Sequence, residues 1–284
     1  MRRSSSVLSL ALLLALVLAA LIWYGALRED RRGLFTVSFL DVGQGDAIFI
    51  DAPSGRQVLV DGGPDSSVLR ELPRVMPWWD RSIDVVVATH PDADHIGGLV
   101  DVLARFKVST IVRSSVHGET ALAATFEKRV HEEGAQMLFA ERGQVIDLGK
   151  GARLEILFPD RDVPELETNV GCVVGRLRYG ETAFMLPCDT TSAVEMYLAR
   201  LDGEKLKSVV LKAAHHGSKT SSSPVFVGYV APEYAVYSRG CDNSYGHPHA
   251  QTVETFSRFG IPTLDTCVDG TVTFVSDGTQ VVRK

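Results

Sequence analysis

Two imidazoles and two carboxylates fall within six consecutive residues, His90, Asp92, Asp94 and His95, inside the stretch Thr89-His90-Pro91-Asp92-Ala93-Asp94-His95-Ile96-Gly97-Gly98. Imidazole and carboxylate together are the ligand set of divalent cations. A solvated turn whose aspartates cap a helix is the simpler alternative. Capping, however, needs one aspartate and no histidine.

Three further groups share this character. Val209-Val210-Leu211-Lys212-Ala213-Ala214 is an apolar run that ends in His215-His216-Gly217-Ser218. His247-Pro248-His249 follows the apolar segment Tyr234 to Tyr237. Asp189 comes just after Ala183-Phe184-Met185-Leu186 and before a helix expected from Thr191, where it could simply be an N-cap. His, Asp, His and Asp thus reach one sheet edge from four strand ends, more than one ion needs. Two ions sharing a carboxylate can grip the attacking and leaving oxygens of a phosphoester. No Cys-x-x-Cys spacing is present, and Asp92 stands where a third imidazole could, so manganese is as well suited as zinc.

The elements that must position these residues read as a mixed α/β (α+β) domain. Strands are expected at Leu34–Val42, Ala47–Asp51 and Gln57–Val60, a helix at Val68–Met76, a buried strand from Ile83 and a helix through Phe106. Val108–Val112 reads as a strand and Glu119–Glu133 as a helix, with further strands at Met137–Ala140, Ala152–Phe158, Cys172–Tyr179 and Thr182–Leu186. Alternation continues to a terminal hairpin across Ser276-Asp277-Gly278. No linker interrupts residues 33–284, which read as one domain.

Residues 1–32 read as a separate membrane segment. Arg2 and Arg3 precede an uncharged Leu- and Ala-rich run from Ser4 to Leu27, and charges resume at Arg28-Glu29-Asp30-Arg31-Arg32. About 20 apolar residues span a bilayer, and Trp23-Tyr24 suits its interface. An uncleaved single-pass anchor with the domain outside the cytoplasm is expected, and a secreted protein after signal cleavage is the alternative. Export would permit disulfides; Cys172–Cys188 is the candidate pair, against four free thiols. The net charge of −6 over 284 residues disfavours a broad nucleic-acid face, although two bound cations would offset it locally.

The His-x-Asp-x-Asp-His pattern with a downstream Asp189 resembles the metallo-β-lactamase superfamily. It is closer still to the C-terminal hydrolase domain of ComEC-type competence proteins, over nearly all of the chain from Phe35. The resemblance is carried by Phe39–Ala47 (Phe-Leu-Asp-Val-Gly-Gln-Gly-Asp-Ala), Asp61-Gly62-Gly63, the Thr89 motif, Leu211–Ser223 and Asn243–His249. It implies a four-layer αββα sandwich and two divalent ions, zinc or manganese. The implied ligands are His90, Asp92, Asp94, His95 and a bridging Asp189, completed by His215 or His216, with His215 favoured. It implies Asp94, His247 and His249 as catalytic or phosphate-contacting residues. Ser218, Lys219 and Thr220 would cradle phosphate at a helix start, with plain N-capping as the alternative, and Asn169 and Asn243 would lie at the substrate. Asp41, Gln44, Asp46 and Asp61 would hold the ligands from behind.

Two departures lie near the implied metals. Asn169-Val170-Gly171-Cys172 keeps only the first Asn of the usual Asn-x-Asn-Ser, and Cys188 replaces the usual Gly before Asp189. The many membrane helices of ComEC are absent, so this chain is not expected to form a DNA-uptake channel by itself. The expected activity is a phosphodiesterase or nuclease using a metal-bound hydroxide, acting on DNA outside the cytoplasm. The alternatives are hydrolysis of another ester (phospholipid, cell-wall phosphodiester or lactone) and a non-catalytic module that binds DNA or a competence partner.

Overall fold

The computed structural model describes residues 2–29 and 33–284, in two compact units, 1–33 and 34–284. The first holds helix α1 (Arg2–Glu29), whose stretch Leu8–Gly25 is long and apolar enough to cross a membrane. The charges of Asp30, Arg31 and Arg32, and the boundary expected between residues 32 and 33, lie outside the described residues.

The second unit opens with a meander, β1 (Phe35–Phe39), β2 (Ile48–Asp51) and β3 (Gln57–Val60). It continues through α2 (Ser67–Val75), β4 (Ser82–Ala88), α3 (Ala93–Leu103), β5 (Lys107–Arg113), α4 (Ala121–Glu133) and β6 (Gln136–Phe139). A second antiparallel run follows, β7 (Val145–Gly149), β8 (Ala152–Phe158), β9 (Val174–Tyr179) and β10 (Thr182–Leu186). The chain then alternates through α5 (Ser192–Asp202), β11 (Val210–Lys212), α6 (Pro224–Val230), β12 (Tyr234–Tyr237), α7 (Ala250–Arg258), β13 (Thr263–Asp265) and α8 (Thr266–Asp269). It closes with the hairpin β14 (Val272–Ser276) and β15 (Val281–Arg283).

These strands form an eight-stranded sheet, ordered β15-β14-β1-β2-β3-β4-β5-β6, and a seven-stranded sheet, ordered β13-β12-β11-β10-β9-β8-β7. Three apolar clusters stack the layers. Phe35, Ile50, Leu154, Phe184 and Phe274 fill the space between the sheets. Leu72, Ile96, Leu99 and Phe126 seat α2, α3 and α4 on the outer face of the first sheet. Leu198, Phe226 and Phe256 seat α5, α6 and α7 on the second. The result is the αββα sandwich.

Local sequence explains the layering. β4 is buried along nearly its whole length because helices and the second sheet cover its two faces. β8 alternates buried and half-buried residues, with one face turned to the core. Thr120 caps α4 by accepting from the Ala123 amide, and Gly134 ends it in the left-handed region. The first strand stops at Phe39, short of the expected Val42, because the chain turns there into the loop that carries Asp46. β7 was not expected: its side chains are largely exposed and show no apolar alternation.

The disulfide joins Cys241 to Cys267, not Cys172 to Cys188, which are buried free thiols. Pairing depends on which loops meet in space. Here the loop after β12 meets α8, at a sequence separation of 26. By loop-closure entropy this bond contributes about 3–4 kcal/mol. Cys241→Ser should lower the chemical-denaturation midpoint accordingly, and an unchanged midpoint would show that the bond holds nothing.

Candidate metal centre

β3, β4, β10, β11 and β12 all deliver their C-terminal ends to one edge of the two sheets. His90, Asp189 and His216 follow β4, β10 and β11, and Asp61 follows β3. Close packing at the start of α3 requires glycine: a Cβ on Gly97 would lie 2.1 Å from the Pro64 carbonyl oxygen, and one on Gly98 2.0 Å from that of Gly62. The Asp61-Gly62-Gly63 and Gly97-Gly98 pairs therefore belong to one contact. Asp92 sits at the N-cap of α3 but makes no side-chain capping bond, so the simple capping alternative fails for it. Asp189 is likewise not the cap of α5; Thr191 holds that position.

The ligand-type atoms converge. His95 Nε2 lies 3.3 Å from Asp189 Oδ2, and His216 Nε2 lies 3.1 Å from the same oxygen and 3.3 Å from Asp94 Oδ2. Asp94, His95, Asp189 and His216 each offer an atom within 4.8 Å of the others. Beside them His90 Nε2 is 3.5 Å from Asp92 Oδ2, and the rings of His90 and His95 are 4.0 Å apart. The Nε2 atoms of His90, His95 and His216 are buried and have no hydrogen-bond partner. Buried polar atoms are ordinarily satisfied, so three unpaired imidazole nitrogens facing carboxylates fit a cation between them.

Each ring is oriented from behind. Asp61 accepts the Thr89 amide (2.8 Å), the Thr89 hydroxyl (2.7 Å) and His95 Nδ1 (2.8 Å). Because the Thr89 hydroxyl is donated to Asp61, its oxygen is left to accept from His90 Nδ1, 3.0 Å away. His216 Nδ1 is 2.8 Å from the Ser238 carbonyl, which can only accept. In all three rings Nδ1 is thus engaged as a donor and Nε2 is directed inward, so that loss of the Nε2 proton gives the tautomer a cation requires. Asp61→Asn should weaken metal affinity by about 10–100-fold, the usual cost of losing such a support. Calorimetric titration of the metal-free chain measures this, and unchanged affinity would remove Asp61 from the scheme.

The turn after β11 separates the two adjacent histidines. His215 (φ 50°), His216 (φ 55°) and Gly217 (φ 89°) all lie in the left-handed region. His216 is thereby driven inward to 1 % exposure, while the His215 side chain keeps 27 % and stands 3.7 Å from Asp189. Sequence favoured His215, but the geometry puts His216 in the cluster. Asp61 (φ 58°) and Cys188 (φ 56°) are left-handed as well. Such conformations cost of order 1–3 kcal/mol each and gather where surrounding structure enforces them.

Lys212 is the residue that the sequence reading passed over. It lies inside an apolar strand, is 1 % exposed, and directs its ammonium at Asp46, at Asp189 Oδ1 (3.1 Å) and at the Cys188 carbonyl (3.1 Å). Burial alone would raise the Asp46 carboxyl, but Lys212 and then His216 outweigh it and hold it at about 2. Burial pushes the His95 and His216 imidazoles down; Asp189 chiefly, with Asp61 for one and Asp46 for the other, more than reverses this and holds both well above the ordinary value.

Outside this cluster the expected roles divide. His247 reaches the mouth, its ring 5.7 Å from His215 and 6.2 Å from His216; burial, then the neighbouring histidines, press it down to about 4, so it is neutral at pH 7. His249 turns its Nδ1 to the Lys219 amide (3.2 Å) and occupies the N-cap of α7. The Asn243 side chain spans the Gly240 and His247 carbonyls and the His247 amide, stapling the histidine loop. Asn169 leaves a buried oxygen without a partner, next to Thr168, whose hydroxyl holds Asp92 at 3.1 Å.

The phosphate cradle at the start of α6 is already filled. Glu195 of α5 accepts the amides of Ser222 (2.6 Å) and Ser223 (2.7 Å), the Ser223 hydroxyl caps the helix, and Ser218 and Thr220 bond to each other at 3.0 Å. Capping accounts for Ser222 and Ser223, while Lys219 and Thr220 are exposed to solvent. Gln44 accepts the Gly240 amide and joins the two loops. The Asp41 amide donates to Thr271, and the Asp41 side chain meets none of the clustered ligands among the described residues.

Residues 40–240 match the metallo-beta-lactamase superfamily. The chain is 28 % identical over 255 residues to ComE operon protein 3 of Bacillus subtilis, covering 84 % of this chain and 32 % of that protein. It is 30 % identical over 250 residues to Recombination protein 2 of Haemophilus influenzae, covering 86 % and 29 %. The chain thus spans about a third of the length of these relatives. Among solved structures the fold resembles CmlA, a diiron β-hydroxylase from Streptomyces venezuelae, with a TM-score of 0.53 at 14 % identity over 88 % of this chain and 54 % of that one. It also resembles zinc-bound PqqB from Methylobacterium extorquens, with a TM-score of 0.51 at 12 % identity over 81 % and 87 %. With residues 40–240 matched and the two-sheet fold shared, the chain belongs to the metallo-β-lactamase superfamily.

Proposed function

We propose that this chain is a two-metal hydrolase of phosphodiesters, with DNA as the favoured substrate, tethered to a membrane and working outside the cytoplasm. The observation that carries it is the trio of buried, unpartnered Nε2 atoms of His90, His95 and His216 facing Asp92, Asp94 and Asp189. Asp94, His95 and His216 would hold one cation, His90 and Asp92 the other, with Asp189 between them; zinc and manganese both suit these donors. Bound there, the cations would supply Lewis acidity and an activated water at neutral pH. The chain's own groups supply the rest. Asp94, its side chain 30 % exposed, orients the water, and neutral His247 and His215 at the mouth accept a proton or hydrogen-bond a phosphate oxygen. The kinship with competence proteins supports DNA as substrate, and the Cys241–Cys267 disulfide supports an oxidising compartment.

One observation favours a non-catalytic binding module. The Lys212 ammonium already compensates Asp46 and Asp189 without any cation. The test is to strip the chain, reload it separately with manganese and with zinc, and offer linear DNA beside bis-p-nitrophenyl phosphate. Chelator-sensitive cleavage of both supports the nuclease. Cleavage of the small ester alone moves the substrate to a phospholipid, cell-wall phosphodiester or lactone. Two bound metals with neither substrate cut would sink the enzyme reading.

A further inference from the structure

Two of the chain's three tryptophans stand in the open on the turn between α2 and β4, Trp78 at 69 % and Trp79 at 52 % exposure. Their rings meet edge to face, centroids 5.7 Å apart. Solvated indoles on adjacent residues leave a large apolar area in water, which ordinarily marks a binding surface. The turn is also well built. The Asp80 amide donates to the Pro77 carbonyl (3.0 Å), and the Asp80 carboxylate accepts from the Ser82 amide and hydroxyl and from the Gln57 side chain.

Strand direction places this turn. β1 and β3 each pair antiparallel with β2, and β3, β4 and β5 are parallel, so β1, β3, β4 and β5 all run the same way. His90, Asp92, Asp94 and His95 follow the C-terminal end of β4, and Asp61 that of β3. Trp78 and Trp79 precede Ser82, the first residue of β4, and so lie at the opposite end. Phe35, which begins β1, lies at that same end, and the chain arrives there from the apolar helix through Leu34. Exposed Arg56, Arg81, Arg105 and Lys107 surround the turn, with the Lys107 amide bonded to the Arg81 carbonyl. The carboxylates here are turned to the protein: Asp80 and Asp84 accept from donors of residues 57 and 82, Glu133 accepts the Val108 amide, and Asp51 lies opposite Gln57 in the sheet.

We propose that the Trp78–Trp79 turn is a second membrane contact, with both indoles at the headgroup level of the bilayer that Leu8–Gly25 spans and the flanking Arg and Lys residues on anionic headgroups. Tryptophan favours that depth, and basic residues are drawn to an anionic lipid surface. Seated so, the domain turns its candidate ligands away from the lipid and toward water. The proposal rests on the reading of α1 as a membrane span, not on the hydrolase.

The experiment uses the full chain in nanodiscs of phosphatidylcholine and phosphatidylglycerol, with the phosphatidylcholine chains brominated either near the headgroup or deep. Trp23→Phe leaves Trp78 and Trp79 as the only tryptophans. Their emission should shift to the blue and be lost in shallow-brominated lipid more than in deep, and less so when phosphatidylglycerol is omitted. The double variant Trp78→Phe/Trp79→Phe leaves Trp23 to report on the helix alone. Quenched Trp23 with unquenched Trp78 and Trp79 overturns the second contact, keeps the span, and leaves the turn to a protein partner. Unquenched Trp23 overturns the span, and the proposal with it.

Discussion

Asp189→Ala will abolish metal-dependent turnover, by at least about 10³-fold, because the cations' stabilisation of developing charge is worth several kcal/mol and each 1.36 kcal/mol is tenfold in rate. Among the described residues Asp189 is the one carboxylate that approaches His95, His215 and His216 together. Its loss should remove at least one equivalent of bound metal, measured by elemental analysis after dialysis. The domain should stay folded, because Lys212 keeps Asp46 as a partner. Asp189→Asn, which keeps the volume and drops the charge, should behave alike. Near-normal turnover in either variant at full metal content would refute the assignment.

The second large effect concerns stability. Lys212→Met retains the apolar stem and removes the ammonium, leaving Asp46 and Asp189 with the imidazoles as their only cations. Breaking a buried charge network by removing one partner typically costs about 3–5 kcal/mol, which in a domain of this size lowers Tm by roughly 6–20 °C. The loss should be large in the stripped protein and smaller once metal is added, since the cations replace the missing charge. Equal melting of the stripped variant and the stripped wild type would defeat this account.

A pH dependence follows from the same network. Asp189, with Asp61 and Asp46, holds the His95 and His216 imidazoles above their ordinary value despite burial. A raised histidine stabilises the fold fully below its unfolded pKa, about 6.5, and that contribution is lost as the pH climbs through the folded value. The metal-free protein should therefore lose stability as the pH rises from 6.5. Metal binding must displace the same protons, so the Tm gained on adding metal should grow over that range. A gain independent of pH would mean that neither ring is protonated in the metal-free state.

Much of the site was legible because each ligand sits beside an apolar strand, and strand mouths gather side chains. His90, Asp189 and the His215-His216 pair each end such a run. The choice between His215 and His216 was not legible, since it depends on consecutive left-handed residues, which no local pattern announces for histidine. Lys212 stands as a charge inside an apolar strand, but lysine is so regularly solvated that the local sequence carries no mark of its buried partners. The engagement of the Ser222 and Ser223 amides was not legible because Glu195, which accepts them, lies on another helix 27 residues before Ser222 and bears no local mark of that partnership. The disulfide was misassigned for a related reason: thiol spacing does not reveal which loops meet.

The bond between Cys241 and Cys267 closes a ring of chain that contains Asn243, His247, His249, α7 and β13, while none of His90, Asp92, Asp94, His95, Asp189 or His216 lies inside it. The candidate ligands and the histidine loop thus hang on different covalent frames. A mild reductant should therefore loosen the histidine loop while bound metal stays in place, so that the two are lost separately.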